Sequence, residues 1–280
     1  MWVNHLKRIV AANLLLPGLA FAGETDLDSA STVWMMLSTL LVLLMFVPGL
    51  ALFYGGMVRA KNILSIYTQF FAVAGVVCVL WLTVVYSMSA DKTHMQAGVT
   101  NLYSFVGSLN KAFLVGIDEN TLLGGVPEYI LIIFGMTFAI ITPCLAIGAF
   151  AERMKFGAVV LFSALWLVLV YGPMPHMVWG GEGAIMHTWG VLDFAGGTAV
   201  HINAGIAALV GAIVLGKRKG WPAAPVPPHN VVYTMIGAAF LWVGWFGFNV
   251  GSAFAVNASA TIAMMTTMVA TCGGILGWMV

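Results

Sequence analysis

The chain has 280 residues, of which 61% are hydrophobic and only 8% charged, with a formal net charge of +1. Soluble domains carry roughly 25% charged residues, so this composition excludes a water-soluble globule and predicts an all-α, polytopic transmembrane helix bundle. The near-zero net charge offers no basic stripe for phosphates, which argues against nucleic acid as a partner.

The first element in the chain is a signal peptide at 1–22. His5, Lys7 and Arg8 precede an apolar run from Ile9 to Leu19, and Ala20-Phe21-Ala22 supplies small residues at the cleavage positions. The rival reading is an uncleaved first helix. The run is interrupted by Asn13 and Pro17 and falls short of the ~20 residues that spanning requires. Residues 23–280 then form one membrane domain.

Seven apolar segments follow, at approximately 32–54, 63–88, 128–150, 156–177, 195–216, 230–253 and 259–280, each near the length of a spanning helix. The longest connection, 91–127, is glycine-rich and weakly charged, which predicts an ordered surface loop. Cys78, Cys144 and Cys272 lie inside apolar segments without metal-ligand spacing and read as core filling. With the mature N-terminus outside, the inner loops hold seven basic residues (Arg59, Lys61, Arg153, Lys155, Lys217, Arg218 and Lys219) against Lys92 and Lys111 outside. That asymmetry follows the positive-inside rule. The seventh segment reaches Val280 without a polar or basic flank, which predicts that the sequence is truncated at its C-terminus.

Within these segments a few residues stand out. Phe134 and Phe138 lie four apart, on one helix face. Trp245, Phe248 and Ser252 share a face of the sixth segment, and Trp179 sits at the outer mouth. Aromatic faces with one hydroxyl are what a small cation needs as it sheds water, although packing and interfacial belts also account for each aromatic taken singly. His201 is the one ionisable side chain deep inside an uncharged span, where such a group faces a partner or a water-filled path. Gly205, Ala208 and Ala212 follow on its face. That leaves either space beside the imidazole or close helix packing through small residues. Asp193 precedes this segment and is placed to cap its free amides. Glu152 and Arg153 read as an interfacial ion pair or anchor, and His94, His176, His187 and His229 as solvated groups in loops or at segment ends.

Several long motifs occur in order: PGLALFYGGMVRAKN (48–62), GAFAERMKF (148–156), HMVWGG (176–181), LDFAGGTAVHINAGIAALVGA (192–212), GKRKG (216–220), PHN (228–230) and GWFGFNVGSA (244–253). Through them the chain resembles the ammonium transporters of the Amt/Mep type. The resemblance implies a homotrimer in the plasma (inner) membrane, each subunit enclosing a narrow pore between two inverted five-helix repeats followed by a last helix. This chain, as residues 23–280, would hold the first repeat and the start of the second. By motif position, Trp179, Phe138 and Ser252 correspond to the outer ammonium site, with Trp245 as nearby aromatic support. Phe138 and Phe248 correspond to the phenyl gate, Phe134 to a neighbouring pore-wall aromatic, His201 to the first of two pore histidines, and Asp193 to the acidic residue behind the recruitment site. Trp179 and Ser252 favour the Amt/Mep branch over the Rhesus proteins. The second histidine belongs to a helix beyond Val280.

The implied partners are ammonium or ammonia, with methylammonium as an analogue, the lipid bilayer, sister subunits and a cytoplasmic PII-type regulator. No cofactor, metal or enzymatic reaction is implied. Two other readings stand beside transport. One is an ammonium sensor or regulator-docking protein without significant flux. The other is a membrane oxidoreductase with histidine-ligated haem, which needs paired ligands inside helices where only His201 lies deep.

Overall fold

The computed structural model describes residues 26–280 except Pro225. The signal peptide expected at 1–22 lies outside these residues. Within them are seven helices long and apolar enough to cross a bilayer: α1 (Ser29–Met57), α2 (Ala60–Ala90), α3 (Glu128–Phe150), α4 (Phe156–Trp179), α5 (Gly197–Leu215), α6 (Val231–Gly251) and α7 (Ala258–Trp278). They have 19 to 31 residues each, or roughly 28 to 46 Å at 1.5 Å per residue, against a hydrocarbon core of ~30 Å. All seven correspond to the segments expected from hydropathy.

Helix α3 is the centre of the bundle. Of its most apolar stretch 67% is buried, against 39% or less for every other helix, and it packs against α1, α2, α4 and α5. Tertiary hydrogen bonds fix it from both sides: the Trp81 indole donates to the Ile132 carbonyl and the Tyr54 hydroxyl to that of Leu145, both at 2.9 Å. The first helix breaks at Val47, whose extended backbone (φ −131°, ψ 114°) is the conformation that a following proline, here Pro48, favours. Short π-helical turns interrupt α2 at Trp81–Val85 and α4 at Leu167–Tyr171, and open α5 at Gly197–Ile202.

Helices α1 and α6 run against each other along a seam of glycines. A Cβ on Gly237 would lie 2.3 Å from the backbone nitrogen of Phe53, one on Gly244 2.1 Å from Met45 Cγ, and one on Gly247 2.4 Å from Leu41 Cβ. Lipid provides no hydrophobic drive for two helices to pair, so close approach through small residues is how they gain contact.

The loop from 91 to 127 is ordered, as its composition suggests. It holds two 3-10 turns and a hairpin of β1 (Leu122–Leu123) and β2 (Val126–Pro127), turned by Gly124 and Gly125, both at positive φ. Asp28 caps α1 and its own amide donates to Gly125, which joins hairpin to helix. Glu128, buried at the start of α3, accepts from the Tyr86 hydroxyl and from Lys111 Nζ, both at 2.5 Å.

At the opposite end of the bundle Glu152 and Arg153 do not pair with each other. Glu152 bonds the Arg59 side chain at 3.0 Å, the Arg59 amide at 3.1 Å and Asn62 at 2.6 Å, while the Arg153 guanidinium donates to the carbonyls of Ala149 and Gly216. Positive φ at Glu152 (64°) turns the two side chains apart. Of the cysteines, Cys144 is core, Cys78 half-buried and Cys272 exposed on α7, which corrects the reading of all three as core. Among the described residues α7 packs near its start, in a small cluster with α6 and with Trp34 of α1, and Cys272 lies beyond that cluster.

Gly237→Ala should lower the melting temperature in detergent by an amount equivalent to ~1–3 kcal/mol of overpacking. Gly75→Ala, where an added Cβ meets nothing within 4 Å, should not lower it, since alanine is the better helix former. Equal melting of the two variants would refute the seam. A second expectation concerns pH. Burial raises the Glu152 carboxyl, but hydrogen bonds from Arg59 and Asn62 and the charge of Arg59 outweigh it, so the group is held below its usual 4.5. A depressed carboxylate stabilises the fold above that range and stops doing so as pH falls through the folded value. The native chain should therefore melt above Glu152→Gln at neutral pH, and the gap should close as pH drops below ~4.5. A gap that persists in acid would rule out the charge as its cause.

Candidate functional site

Seven helices of alternating direction bring the start of α3, the end of α4, the start of α5 and the end of α6 to one end of the bundle. The residues singled out in the sequence lie there. The segment leading into α5 sets their geometry. Asp193 accepts four backbone N–H bonds, from Gly196 at 2.5 Å, Gly197 at 3.0 Å, Thr198 at 2.7 Å and Ala199 at 3.0 Å. A helix start has amides without intrahelical partners, and a carboxylate there satisfies them and complements the helix dipole. Gly196 reaches this arrangement at φ 120°, a conformation closed to other residues, and a Cβ on it would lie 2.9 Å from Val200 Cγ2.

The backbone carbonyl of Asp193 has a second use. It accepts the Trp179 indole N–H at 2.9 Å, so one residue orders the α5 start and the aromatic that ends α4. His201 follows in the π-helical turn, half-buried, with Nδ1 3.1 Å from the Gly196 carbonyl. That contact selects the tautomer with its proton on Nδ1 and leaves Nε2 as an acceptor.

Helices α3 and α6 supply the rings. Phe138 and Phe248 stack at a centroid distance of 4.0 Å and an interplanar angle of 15°, with exposures of 4% and 1%. Parallel rings at that spacing are in contact and leave no gap between them. One turn along α3, Phe134 packs on Phe138 at 4.8 Å and edge-on to Phe254 at 5.8 Å. Trp245 stacks on the His201 imidazole at 5.5 Å and also reaches Phe248 at 6.0 Å. Ser252 caps α6 and donates its hydroxyl proton to the Phe248 carbonyl at 2.8 Å.

Helical rise orders these groups in depth. Ser252 lies ~6 Å closer to the bundle end than Phe248, and Trp245 ~4.5 Å farther in. From the end inward the sequence is Ser252, then the Phe138–Phe248 stack, then Trp245 with His201. Trp245 is thus a neighbour of the histidine, on the far side of the ring stack from Ser252. One chemical property unites the site. The polar protons of Trp179, Ser252 and His201 are each directed at a backbone carbonyl, so these three residues offer lone pairs and π faces to anything that enters. Among the described residues no three His, Cys, Asp or Glu side chains converge in a metal-binding group.

Two further residues belong to this end and were not singled out for it. Phe254, at a left-handed φ of 55°, backs Phe134. His176 is fully buried, not solvated at a segment end: the loop 91–127 folds over it, and Nε2 lies 2.8 Å from the Tyr103 carbonyl. His176 stands three residues before Trp179 after two prolines, a signal that it shares a short helix with that tryptophan; nothing local points to Tyr103.

The sequence model of the Ammonium Transporter Family matches residues 33–280. The chain is 44% identical over 270 residues to an ammonium transporter of Aquifex aeolicus, covering 95% of this chain and 60% of that one. It is 45% identical over 254 residues to one of Bacillus subtilis, covering 90% and 59%. Among solved structures it is similar to Mep2 of Saccharomyces cerevisiae, with a TM-score of 0.75 and 30% identity over 90% of this chain and 57% of that one. A chain described as a sensor Amt protein also has a TM-score of 0.75, at 25% identity over 88% and 60%. The chain spans somewhat more than half the length of these relatives.

Asp193→Ala should deprive four amides of a part-buried helix start of their acceptor and cost about 2 kcal/mol, since hydrogen bonds to a charged acceptor contribute about 1.5–3 kcal/mol each. Asp193→Asn keeps one acceptor oxygen and should fall between Ala and native in thermal melting. Identical melting of all three proteins would remove the carboxylate from this role.

Proposed function

Since the chain belongs to the ammonium transporter family, a group of multi-pass membrane proteins, we propose that it takes part in moving ammonium or ammonia across the bilayer through a narrow pore within each subunit. The observation that carries this reading is the ordered lining of acceptors and π faces at one end of the bundle. Ammonium is a small cation with donors only. Trp179 and Phe138 offer it aromatic faces, and Ser252, whose proton is already committed to Phe248, offers lone pairs.

The rings of Phe138 and Phe248 then bar the way to anything that keeps its water. Passage requires the stack to open, and Phe134 flanks it on the entry side. Taking a full charge into hydrocarbon costs about 2.5–3.5 kcal/mol for a side chain on insertion scales, so ammonium gives its proton to water at the outer mouth, before or at the stack, and ammonia passes beyond it. Beyond the rings His201 presents the bare Nε2 to the N–H groups of ammonia, with Trp245 against its face. Asp193 keeps a structural role, holding Trp179 and the α5 start in register.

The Trp179 end faces outside, as the placement of basic residues at the opposite end supports. Residues 23–280 form part of one transporter domain behind the signal peptide, comprising the first inverted repeat and the start of the second, in the plasma (inner) membrane. Its partners are two sister subunits and, at the inner face, a PII-type regulator. It does no enzymatic chemistry. The likeness to a sensor Amt protein favours a second reading, in which the same mouth reports ammonium without appreciable flux.

Methylammonium uptake into liposomes bearing the full-length protein tests both. Ser252→Ala should raise the half-saturating concentration about fivefold, the factor that one hydrogen bond of ~1 kcal/mol carries. His201→Ala should change flux or selectivity against sodium while leaving half-saturation near native. Uptake indifferent to both changes would reject the pore reading. Saturable binding with no uptake in the native protein would select the sensor.

A further inference from the structure

We infer that His176 is a positioning residue for the cation-recruiting tryptophan, coupling Trp179 to the long loop 91–127. The inference rests on the proposed reading of Trp179 as a recruiting aromatic. Its own support is geometric. His176 and Trp179 lie on Pro173–Trp179, the last seven residues of α4, set off from the rest of the helix by the π-helical turn Leu167–Tyr171. This short segment is held at one end by Ser89, whose hydroxyl donates to the Gly172 carbonyl at 3.0 Å, and at the other by the Trp179 bond to Asp193. Between the two stands His176, with 0% exposure.

A buried imidazole is unfavourable to place unless its polar atoms are used. The Tyr103 carbonyl is an acceptor only, so the Nε2 of His176 carries the proton and donates it. Its Nδ1 is buried and makes no hydrogen bond of ordinary geometry among the described residues, with the Ser89 backbone beside the ring. A leucine would fill similar space without that cost, so the imidazole is there for what Nε2 reaches. What it reaches is a rigid point. Tyr103 lies in the 3-10 turn Leu102–Ser104, closed by a capping box with Asn101, and its ring packs on His94 at 4.9 Å. The loop is itself seated on the helix ends. The Gly107 amide donates to Met88 at 2.7 Å, and a Cβ on Gly183 would lie 2.8 Å from the Gln96 carbonyl.

The His176–Tyr103 hydrogen bond is therefore a third anchor of the Trp179 segment, beside Ser89–Gly172 and Trp179–Asp193, and the one that ties its rotation to the loop. Loss of that bond frees the indole face from the place where Ser252 and Phe138 meet the cation, while the ring stack and His201 beyond it keep their contacts. The signature is a weakened half-saturation at preserved maximal flux, which a general loss of stability would not give.

The test uses the full-length protein in liposomes with methylammonium as the probe. Trp179→Leu serves as the reference, and His176→Leu, His176→Gln and His176→Asn are compared with it. His176→Leu should raise half-saturation about five- to tenfold, the factor carried by one buried hydrogen bond, with maximal flux within about twofold. Gln places an amide N–H where Nε2 stood and should restore near-native half-saturation, whereas Asn places it nearer Nδ1 and should not. If His176→Leu does not fold, the Gln and Asn pair decides by the same contrast. Equal behaviour of Gln and Asn, or native half-saturation in His176→Leu while Trp179→Leu is impaired, overturns the role of His176 alone. Native half-saturation in Trp179→Leu overturns the recruitment reading and this inference with it.

Discussion

A helix start leaves its first backbone N–H groups without intrahelical partners, and one packed partly inside a bundle needs an acceptor from the protein itself. Asp193 is that acceptor. Four N–H bonds converge on its two oxygens, its carbonyl holds the Trp179 indole, and the chain then enters α5 through a π-helical turn that delivers His201. The other end of α5 meets the guanidinium of Arg153, which donates to Gly216. The helix is therefore bracketed by a negative charge at its positive end and a positive charge at its negative end. Between these ends one side of α5 packs closely on α3, where a Cβ on Gly211 would lie 2.1 Å from Phe150 Cε1.

A second constraint acts at right angles to the first. The glycine seam lets α6 lie almost backbone to backbone on α1, and α3 is pinned from both flanks by Trp81 and Tyr54. These contacts determine the separation of α3 and α6, and with it the 4.0 Å stacking of Phe138 on Phe248. Clearance around the rings is likewise set by glycines. A Cβ on Gly196 would be 3.4 Å from Phe248 Cζ, and one on Gly251 3.1 Å from Phe134 Cε2. Larger residues at either position would push on one of the rings.

Much of this was legible in the sequence. Hydropathy located every span because each must satisfy its own backbone in lipid, and that demand is written continuously over about 20 residues. Helical spacing put Phe134 with Phe138 and Trp245 with Phe248 and Ser252 on shared faces, but a shared face says nothing of depth. The structure separates Ser252 from Trp245 by the whole thickness of the ring stack. The burial of His176 is hidden from the sequence for a related reason. Whether a residue at a segment end is wet depends on where a long loop folds back, and the Tyr103 carbonyl that occupies His176 is far away in sequence. The pairing of Glu152 with Arg59, where adjacency suggested Arg153, likewise turns on one left-handed residue that no periodicity reveals.

The chemistry of the proposed passage follows from how its protons are used. Trp179, Ser252 and His201 could each have donated to an entering molecule. Instead the fold directs each of these donors at a carbonyl: Asp193 for the indole, Phe248 for the hydroxyl and Gly196 for the imidazole. A lining so arranged has lone pairs and π faces to offer. Water both donates and accepts, so it gains only half its hydrogen bonds against such a wall. An alkali cation gains π attraction and lone-pair contact but has no N–H to direct. Ammonium, a cation whose every hydrogen is a donor, meets the π faces with its charge and the lone pairs with directed hydrogen bonds. On this reading selectivity begins with the backbone, because the carbonyls that accept these three protons are held by the helix starts and ends that Asp193 and the α6 terminus define.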